Sequence, residues 1–131
     1  MITSDTLKRY WAKLAVLLIA DGEKKAQWLK KHRIFHHIGE NCSFKTNILP
    51  AEPFLVCLHD NVRIAAGCRL ITHSMTCSVF NRATGSNRFY CQYGKIEIHS
   101  NVFVGGGSTS MYGVTIGENS NVAAGAVVSK G

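Results

Sequence analysis

Two different periodicities divide the chain into a helical beginning and a repetitive remainder. Between residues 4 and 32, apolar side chains recur at three- and four-residue spacing, as on one face of a helix. Asp21-Gly22 interrupts this pattern and can cap a second short helix, while Ser4 and Asp5 offer a cap for the first. The apolar face consists of Leu7, Tyr10, Trp11, Leu14, Leu17 and Leu18. We expect its aromatic residues, together with Trp28, to pack in the core or against another subunit.

From Ile38 onward the helical period fades, and the second half of the chain repeats every six residues. Counted from Ile98, the sextets are IHSNVF, VGGGST, SMYGVT, IGENSN and VAAGAV, and Val128 begins another. Five of these six first positions are Ile or Val, and Ser110 is the exception. The same phase fits three upstream aliphatic residues, and an earlier coil is expected to begin with two more. These residues are Leu58, Ile64 and Leu70, and Ile38 and Phe44.

A fixed short period is typical of a solenoid, here one in which each sextet forms a flat side and a corner of a triangular coil. The first residue of each sextet then points inward and stacks on its equivalent in the next coil. Asn61, Asn101 and Asn119 recur three places after such a residue, where asparagine tolerates left-handed backbone at a corner. The pattern therefore predicts a mainly β fold: a left-handed parallel β-helix with an N-terminal α-helical segment. An antiparallel sandwich would instead show period-two alternation and hairpin turns.

This reading gives two segments, a helical segment at 1–34 and a β-helix domain at 35–131. The six-residue phase breaks between about residues 75 and 93, where no continuous apolar pattern is found. We predict a loop that leaves the β-helix at one corner. Long loops on rigid scaffolds often carry function.

Charge and cysteine content narrow the range of partners. Lysine and arginine number 15 against 8 acidic residues, and the formal net charge of +7 fits an anionic partner such as a phosphorylated cofactor, nucleic acid or an acidic surface. A solvated helix face explains the basic residues at 24–33 equally well. The five cysteines lack C-x-x-C spacing, so we expect reduced thiols in a cytoplasmic protein rather than a disulfide framework or zinc knuckle. The longest apolar run, at 14–20, is too short to cross a membrane.

The sequence resembles the hexapeptide-repeat acyltransferases, especially the galactoside, maltose and xenobiotic acetyltransferases and the O-acetyltransferases of polysaccharide pathways. The residues that carry the resemblance are FHHIGENC (35–42), LPAEP (49–53), DNVRIAAGCRLITH (60–73), IEIHSNVFVGGGST (96–109) and GVTIGENSNVAAGAVVSK (113–130). The resemblance implies a homotrimer with active sites in grooves between neighbouring β-helices. It also implies acetyl-CoA, or another acyl-CoA, as the donor. The same scaffold serves other activities, so the repeat is more specific for fold than for chemistry.

His73 is the candidate catalytic residue, because it ends a β-segment just before the predicted loop and matches the catalytic histidine of the family. Acyl transfer to a hydroxyl needs a base for the hydroxyl proton, and an ordinary imidazole, with a pKa of about 6.5, is mostly neutral at pH 7. A structural histidine at a coil corner is the alternative. Many relatives place Asp after this histidine, whereas Ser74 follows it here, which puts the orientation of the imidazole in question. Cys77 is expected to be an ordinary loop thiol rather than a nucleophile.

The resemblance also assigns the donor site by position. Gly106 and Ala124 match positions that contact the pantetheine arm of CoA. Ser129 and Lys130 match the pair that reaches the nucleotide end, where a lysine suits phosphate. Relatives usually continue past this pair with another partial coil and a helix, so the early end of the chain leaves the completeness of the CoA groove open.

Acceptor and metal predictions rest on fewer residues. Asn47, Glu52 and Asn81 are the candidates for holding acceptor hydroxyls, with simple corner or loop solvation as the alternative. No metal is expected. The adjacent His36 and His37 would point to opposite faces of a strand, and the second-position residues His59 and His99 are expected to face solvent.

Together these features predict a CoA-dependent O-acetyltransferase that transfers an acetyl group to a hydroxyl of a sugar or glycan, with His73 as general base. Two alternatives remain open: a non-catalytic or decayed β-helix module for binding or assembly, and a xenobiotic (antibiotic) O-acetyltransferase. The predicted partners are a small-molecule or glycan acceptor and other copies of the chain. Neither nucleic acid nor integral membrane association is expected.

Overall fold

The computed structural model describes residues 4–130 and begins with two helices, as the sequence predicts. Helix α1 spans Ser4–Leu18 and helix α2 spans Gly22–Lys31. Asp21 caps α2, since its carboxylate accepts a hydrogen bond of 3.0 Å from the backbone N–H of Lys24. The first three residues of the segment 1–34 and the last residue of the segment 35–131 lie outside the described residues. No described helix has the length and apolar character needed to cross a bilayer.

Helix α1 turns a different face to the protein than the sequence predicts. Its buried residues are Ala12 and Val16, whereas Tyr10 and Trp11 are 60% and 57% exposed. Tyr10 and Trp11 therefore do not pack in the core of this chain, whereas Trp28 is partly buried and packs against it. Packing of the exposed stripe against another subunit stays a prediction. Helix α1 contacts α2, and the small side chains on its buried face allow a close approach, while the large apolar residues are left on the outer side.

The strands are two or three residues long and follow the six-residue spacing. In chain order they are β1 His37–Ile38, β2 Ser43–Phe44, β3 Val56–Leu58, β4 Val62–Ile64, β5 Arg69–Leu70, β6 His73–Ser74, β7 Gln92–Tyr93, β8 Ile96–Ile98, β9 Val102–Val104, β10 Thr109–Ser110, β11 Thr115–Ile116, β12 Asn121–Val122 and β13 Val127–Val128. A short 3-10 turn at Pro53–Leu55 precedes β3.

Eleven of these strands form three parallel sheets, which the chain visits in rotation. Sheet A has the order β1-β3-β8-β11, sheet B the order β12-β9-β4-β2, and sheet C the order β13-β10-β5. Each sheet is one side of a three-sided coil, and hydrogen bonds run between successive coils. Parallel structure without crossover helices is thus confirmed for the repeat.

The interior of the coil is a set of stacked aliphatic columns, as the sextet pattern predicts. In sheet A, Ile98 lies in register with Leu58 on one side and Ile116 on the other. The other first-position residues upstream, Ile64 and Leu70, are also buried. Ser110 occupies such a position as well, between Leu70 and Val128, and its hydroxyl has no hydrogen-bond partner within residues 4–130. Burial of these columns supplies the main stabilisation of the fold.

Asparagines at the corner after sheet A confirm the predicted corner chemistry. Asn61, Asn101 and Asn119 have φ values of 55°, 61° and 61°, in the left-handed region, and Asn41 of the first coil has a φ of 58°. The side-chain amide of Asn61 donates to Asn101, and that of Asn101 donates to Asn119, each at 3.0 Å. The ladder satisfies the amides that the corner exposes and holds successive coils in register.

The excursion predicted at about 75–93 is present, but describing it as a loop is wrong. It contains helix α3, Thr76–Thr84, and its base is closed by antiparallel pairing of β6 with β7. Cys77 and Cys91 form a disulfide, with their Cα atoms 5.1 Å apart. The expectation that all five cysteines are reduced is wrong for this pair, because the helix and the paired base bring together two residues far apart in sequence. Cys42, Cys57 and Cys68 are free.

Candidate functional site

His73 lies where the chain leaves the three-sided coil. Strand β5 of sheet C ends at Leu70, and His73 opens the two-stranded base of the excursion, directly opposite Tyr93. The rings of His73 and Tyr93 are 5.4 Å apart between centroids and tilted by 41°. The imidazole is half-buried, and its backbone is fixed by the pairing of β6 with β7. Because the backbone is fixed by strand pairing, the imidazole can be held in one position relative to a bound substrate.

A carboxylate from the preceding coil orients the imidazole. His73 Nδ1 lies 2.8 Å from the carboxylate of Glu52, which also accepts a short hydrogen bond from the hydroxyl of Thr72. The backbone N–H of Glu52 in turn donates to the Thr72 hydroxyl at 3.2 Å. The ionised carboxylate can only accept a hydrogen bond, so Nδ1–H is the donor and the free lone pair of the neutral imidazole is on Nε2. No group within residues 4–130 is hydrogen-bonded to Nε2.

The electrostatic setting keeps Glu52 ionised. Burial on its own would raise the pKa of this carboxyl, but the hydrogen bonds from His73 and Thr72 outweigh burial and hold the pKa below its ordinary value of 4.5. Arg9 of α1 contributes in the same direction, and its guanidinium donates to the backbone carbonyl of Ala51 at 2.7 Å. Helix α1 therefore supports the segment that carries the carboxylate.

A lowered pKa in the folded state means that ionised Glu52 stabilises the fold at neutral pH. This contribution is present above the ordinary value of 4.5 and is lost as pH falls through the lower value of the folded protein. We expect Glu52→Gln to be less stable than the unmodified protein near pH 7, with the difference shrinking as pH falls below about 4.5. Urea unfolding across a pH series measures this difference.

The control for this prediction is Glu118→Gln, which alters a carboxylate on an exposed turn. It should change stability by less than about 0.5 kcal/mol at pH 7. A difference between Glu52→Gln and the unmodified protein that stays constant from neutral to acidic pH would show that Glu52 is not held ionised by its partners.

Two clefts lie beside the corner formed by His73 and Ser74, and His73 itself lines one of them. One has a volume of about 280 Å³ and lies between the segment before the 3-10 turn and the end of sheet C. It is lined by Ile48, Leu49, Pro50, Ala51, Arg69, Leu70, Ile71, Thr72 and His73. The other, of about 490 Å³, lies under the excursion and is lined by Ser74, Thr76, Cys77, Phe80, Arg88, Phe89, Tyr90, Gln92 and Tyr112. The corner at His73 and Ser74 therefore separates a smaller cleft from a larger aromatic one.

The three predicted acceptor residues are not brought to one place. Glu52 contacts His73 directly, as described above. Asn47 instead accepts a hydrogen bond of 2.8 Å from Lys25, whose buried ammonium also donates to two backbone carbonyls at the end of the first coil. Asn81 exchanges two hydrogen bonds of 2.9 Å with the backbone of Phe89, which ties α3 to the returning chain. Both amides thus hold local structure, and a contact with acceptor remains a prediction for each.

The four predicted donor residues lie just before or just after strands of sheet C. Gly106 and Ala124 occupy the corner before strands β10 and β13, and Gly106 accepts a backbone hydrogen bond of 2.9 Å from Gly125. Ser129 and Lys130 are exposed and follow the C-terminal end of β13. His73 follows the C-terminal end of β5, a strand of the same parallel sheet. Their role in binding CoA remains a prediction.

Two residues of the site were missed or assigned otherwise from the sequence. Glu52 was predicted to hold the acceptor, which stays a prediction, and its contact with His73 was not predicted; Tyr93 was not singled out. The signal for Glu52 is its spacing: Ile38 and Leu58 show that a coil takes 20 residues here, and Glu52 precedes Thr72 by the same number. Ser74, which follows His73, accepts a hydrogen bond of 3.2 Å from the backbone of Thr76 at the start of α3.

The repeat matches a known protein family, and the fold matches solved structures. The family model described as the hexapeptide repeat of succinyl-transferase matches residues 95–130. A comparison with curated protein sequences gave no match. The predicted resemblance to hexapeptide-repeat acyltransferases is confirmed for the repeat and for the fold.

Among solved structures, a maltose O-acetyltransferase from Clostridium difficile 630 matches with a TM-score of 0.64 and 21% identity, over 95% of this chain and 76% of that protein. A hexapeptide-repeat-containing acetyltransferase from Vibrio cholerae matches with a TM-score of 0.61 and 19% identity, over 98% of this chain and 82% of its own. A structure of the acetyltransferase from Vibrio cholerae O1 biovar eltor in complex with acetyl coenzyme A matches with a TM-score of 0.57 and 19% identity, over 98% and 80% of the two chains. The chain thus shares the fold of these acetyltransferases.

Proposed function

We propose that the protein is an acyltransferase that moves the acetyl group of acetyl-CoA onto a hydroxyl of a sugar or glycan, with His73 as general base. The observation that carries this proposal is the contact of His73 Nδ1 with Glu52 at 2.8 Å, which leaves Nε2 as the proton acceptor at a corner bordered by two clefts. The fold supports it, since structural neighbours are acetyltransferases and one of them was solved with acetyl-CoA. The coil is inferred to be left-handed, as in hexapeptide-repeat proteins.

The proposed reaction needs no acyl-enzyme. His73 Nε2 takes the proton of the acceptor hydroxyl as its oxygen attacks the thioester carbonyl, and the carbonyl π electrons move to the carbonyl oxygen. When the tetrahedral intermediate collapses, the C–S bond breaks and the CoA sulfur leaves with the proton that His73 received. Glu52 is a positioning residue in this scheme, because it fixes the tautomer and stabilises the imidazolium between the two proton transfers. Cys77 is bonded to Cys91 and offers no free thiolate.

The donor is proposed to lie along sheet C. In this pose, the backbone of Gly106 and Ala124 contacts the pantetheine arm at the N-terminal ends of β10 and β13. Ser129 and Lys130 contact the nucleotide end of CoA at the C-terminal end of β13. The positive charge of Lys130 suits the phosphates of CoA. A homotrimer would place a neighbouring β-helix beside this groove, and this assembly is part of the proposal.

Isothermal titration calorimetry with CoA tests the proposal against a non-catalytic module. We expect one CoA site per chain, with binding weakened by salt because the nucleotide end carries phosphates. Lys130→Gln should reduce affinity, and Lys31→Gln, on the exposed end of α2, should leave it unchanged. Absence of CoA binding would contradict acyl transfer and favour the binding or assembly module.

An acceptor panel then separates sugar acetylation from acetylation of a xenobiotic. The larger cleft carries Phe80, Phe89 and Tyr90, and aromatic rings of this kind can stack on the apolar face of a sugar ring or on an aromatic drug. Acetyl release from acetyl-CoA is measured with maltose, galactosides and capsule-type oligosaccharides in one arm and hydroxylated antibiotics in the other. Turnover confined to the second arm would contradict the sugar proposal while retaining acyl transfer.

A further inference from the structure

Four residues with metal-binding side chains form a compact group on the outer face of sheet A, away from the corner that carries His73. Cys57 on β3 and Glu97 on β8 lie directly opposite each other in the parallel ladder. His59 lies two residues after Cys57, and His99 lies two residues after Glu97. The rings of the two histidines stack with their centroids 4.5 Å apart. Since side chains alternate between the faces of a strand, residues two apart share a face. The sequences C-x-H and E-x-H, 40 residues apart, therefore meet as a two-by-two array.

The distances within this array are those of groups that can converge on one ion. The ligand atoms of Cys57, His59 and Glu97 all lie within 4.8 Å of one another. His59 Nε2 is 3.4 Å from one carboxylate oxygen of Glu97, and His99 Nε2 is 3.6 Å from the other. The ligand atoms of a tetrahedral Zn²⁺ site are separated by roughly 3.3–3.8 Å, given metal–ligand distances of about 2.0–2.3 Å. Small side-chain rotations would bring the three groups to that spacing.

We propose that Cys57, His59 and Glu97 bind a divalent metal ion of the Zn²⁺ class, with His99 beside them to complete a four-ligand set. A thiolate, imidazoles and a carboxylate are the donors that Zn²⁺ accepts, whereas Mg²⁺ and Ca²⁺ take oxygen ligands. On binding, the Cys57 thiol gives its proton to solvent as the sulfur–metal bond forms, and the charge and oxidation state of the ion do not change.

Such an ion would join two coils that are separated in sequence by the whole excursion. Cys57 and His59 belong to the coil before it, and Glu97 and His99 to the coil that follows. The backbone ladder already pairs these strands, and a metal would add a side-chain link on the outer face. The proposal is independent of acetyl transfer, since the array includes none of the residues assigned to the acceptor, the donor or the base.

Titration of the full chain with Co²⁺ and Zn²⁺ tests the site. We expect one equivalent of Co²⁺ to give a thiolate-to-cobalt charge-transfer band and the intense visible bands of tetrahedral coordination, and Zn²⁺ to displace it. Cys57→Ser should abolish the charge-transfer band. His59→Gln and Glu97→Gln should each weaken Zn²⁺ binding at least about tenfold in competition with a chromogenic chelator, because each removes a ligand.

Controls with the same chemistry elsewhere make the result specific. Cys42→Ser removes another free thiol, His36→Gln removes an exposed histidine, and the double change of Cys77 and Cys91 to serine removes the disulfide pair. All three should keep the band. Zn²⁺ should also raise the melting temperature of the unmodified protein and leave that of Cys57→Ser unchanged. Absence of the band, or its persistence in Cys57→Ser, would overturn the site and leave His59 and Glu97 as an ordinary ion pair.

Discussion

Replacing His73 with alanine is expected to lower kcat for acetyl transfer at least about a hundredfold, with little change in the dissociation constant of CoA. General-base catalysis contributes about 10²–10⁴-fold, and the imidazole is the group that would accept the hydroxyl proton. CoA affinity should survive because the proposed donor contacts lie along sheet C rather than on the imidazole. Steady-state kinetics with the best acceptor of the panel, together with calorimetry on the same preparation, measures both quantities.

Two matched variants show whether the effect belongs to the His73–Glu52 pair. Glu52→Gln keeps the size of the side chain and removes its charge, and we expect kcat to fall by about tenfold or more as the imidazole loses its orienting carboxylate. His36→Ala removes an exposed histidine that lies just before β1, and it should leave kcat unchanged. Unchanged turnover in His73→Ala would refute the general-base role and would return His73 to a structural residue at a coil corner.

The repeat could be predicted from the sequence because its determinants are local. An inward aliphatic residue every sixth position and an asparagine three places later describe one side and one corner, and both rules need only neighbouring residues. The structure confirms both rules, since the side chain of Ile98 is fully buried and the backbone of Asn101 is in the left-handed region. The same reasoning placed His73 just before the break in phase, whereas its catalytic role was predicted from the family resemblance and stays a prediction.

The partners of His73 could not be predicted because they depend on distances across coils. The Glu52 contact requires the length of one coil, which the irregular first coil obscures, and the Tyr93 contact requires the paired base of the excursion. Likewise, Cys57 and Glu97 are 40 positions apart in the sequence, and they are adjacent only because the excursion between them leaves the register intact. The six-residue pattern predicts the coil, but it does not predict which residues on the two sides of a break in the pattern come into contact.

A similar limit applies to α1. Its spacing correctly predicts a helix, but periodicity alone does not say which face meets the protein. The helix buries Ala12 and Val16 and leaves Leu17 and Leu18 more than half exposed. The buried face is selected by packing against α2, a contact that the spacing of residues within α1 does not specify.

The second large effect expected is on stability, from Ile98→Ala in the central column of sheet A. Ile98 is fully buried between Leu58 and Ile116, and backbone hydrogen bonds of 2.9 and 3.0 Å hold the coils on either side at a fixed spacing. Because the ladder prevents the neighbouring coils from closing the gap, the variant should keep most of the cavity and lose about 2–5 kcal/mol of unfolding free energy. Urea unfolding at a fixed chain concentration measures the loss.

Val127→Ala is the matched control, since it also truncates an aliphatic side chain in a strand, but one that is 67% exposed. It should cost no more than about 0.5 kcal/mol. The comparison therefore separates the stacked column from β-propensity, which both substitutions reduce alike. Equal losses in the two variants would mean that the columns are not what holds the coils together, and that the backbone ladder and the asparagine corners carry the stability instead.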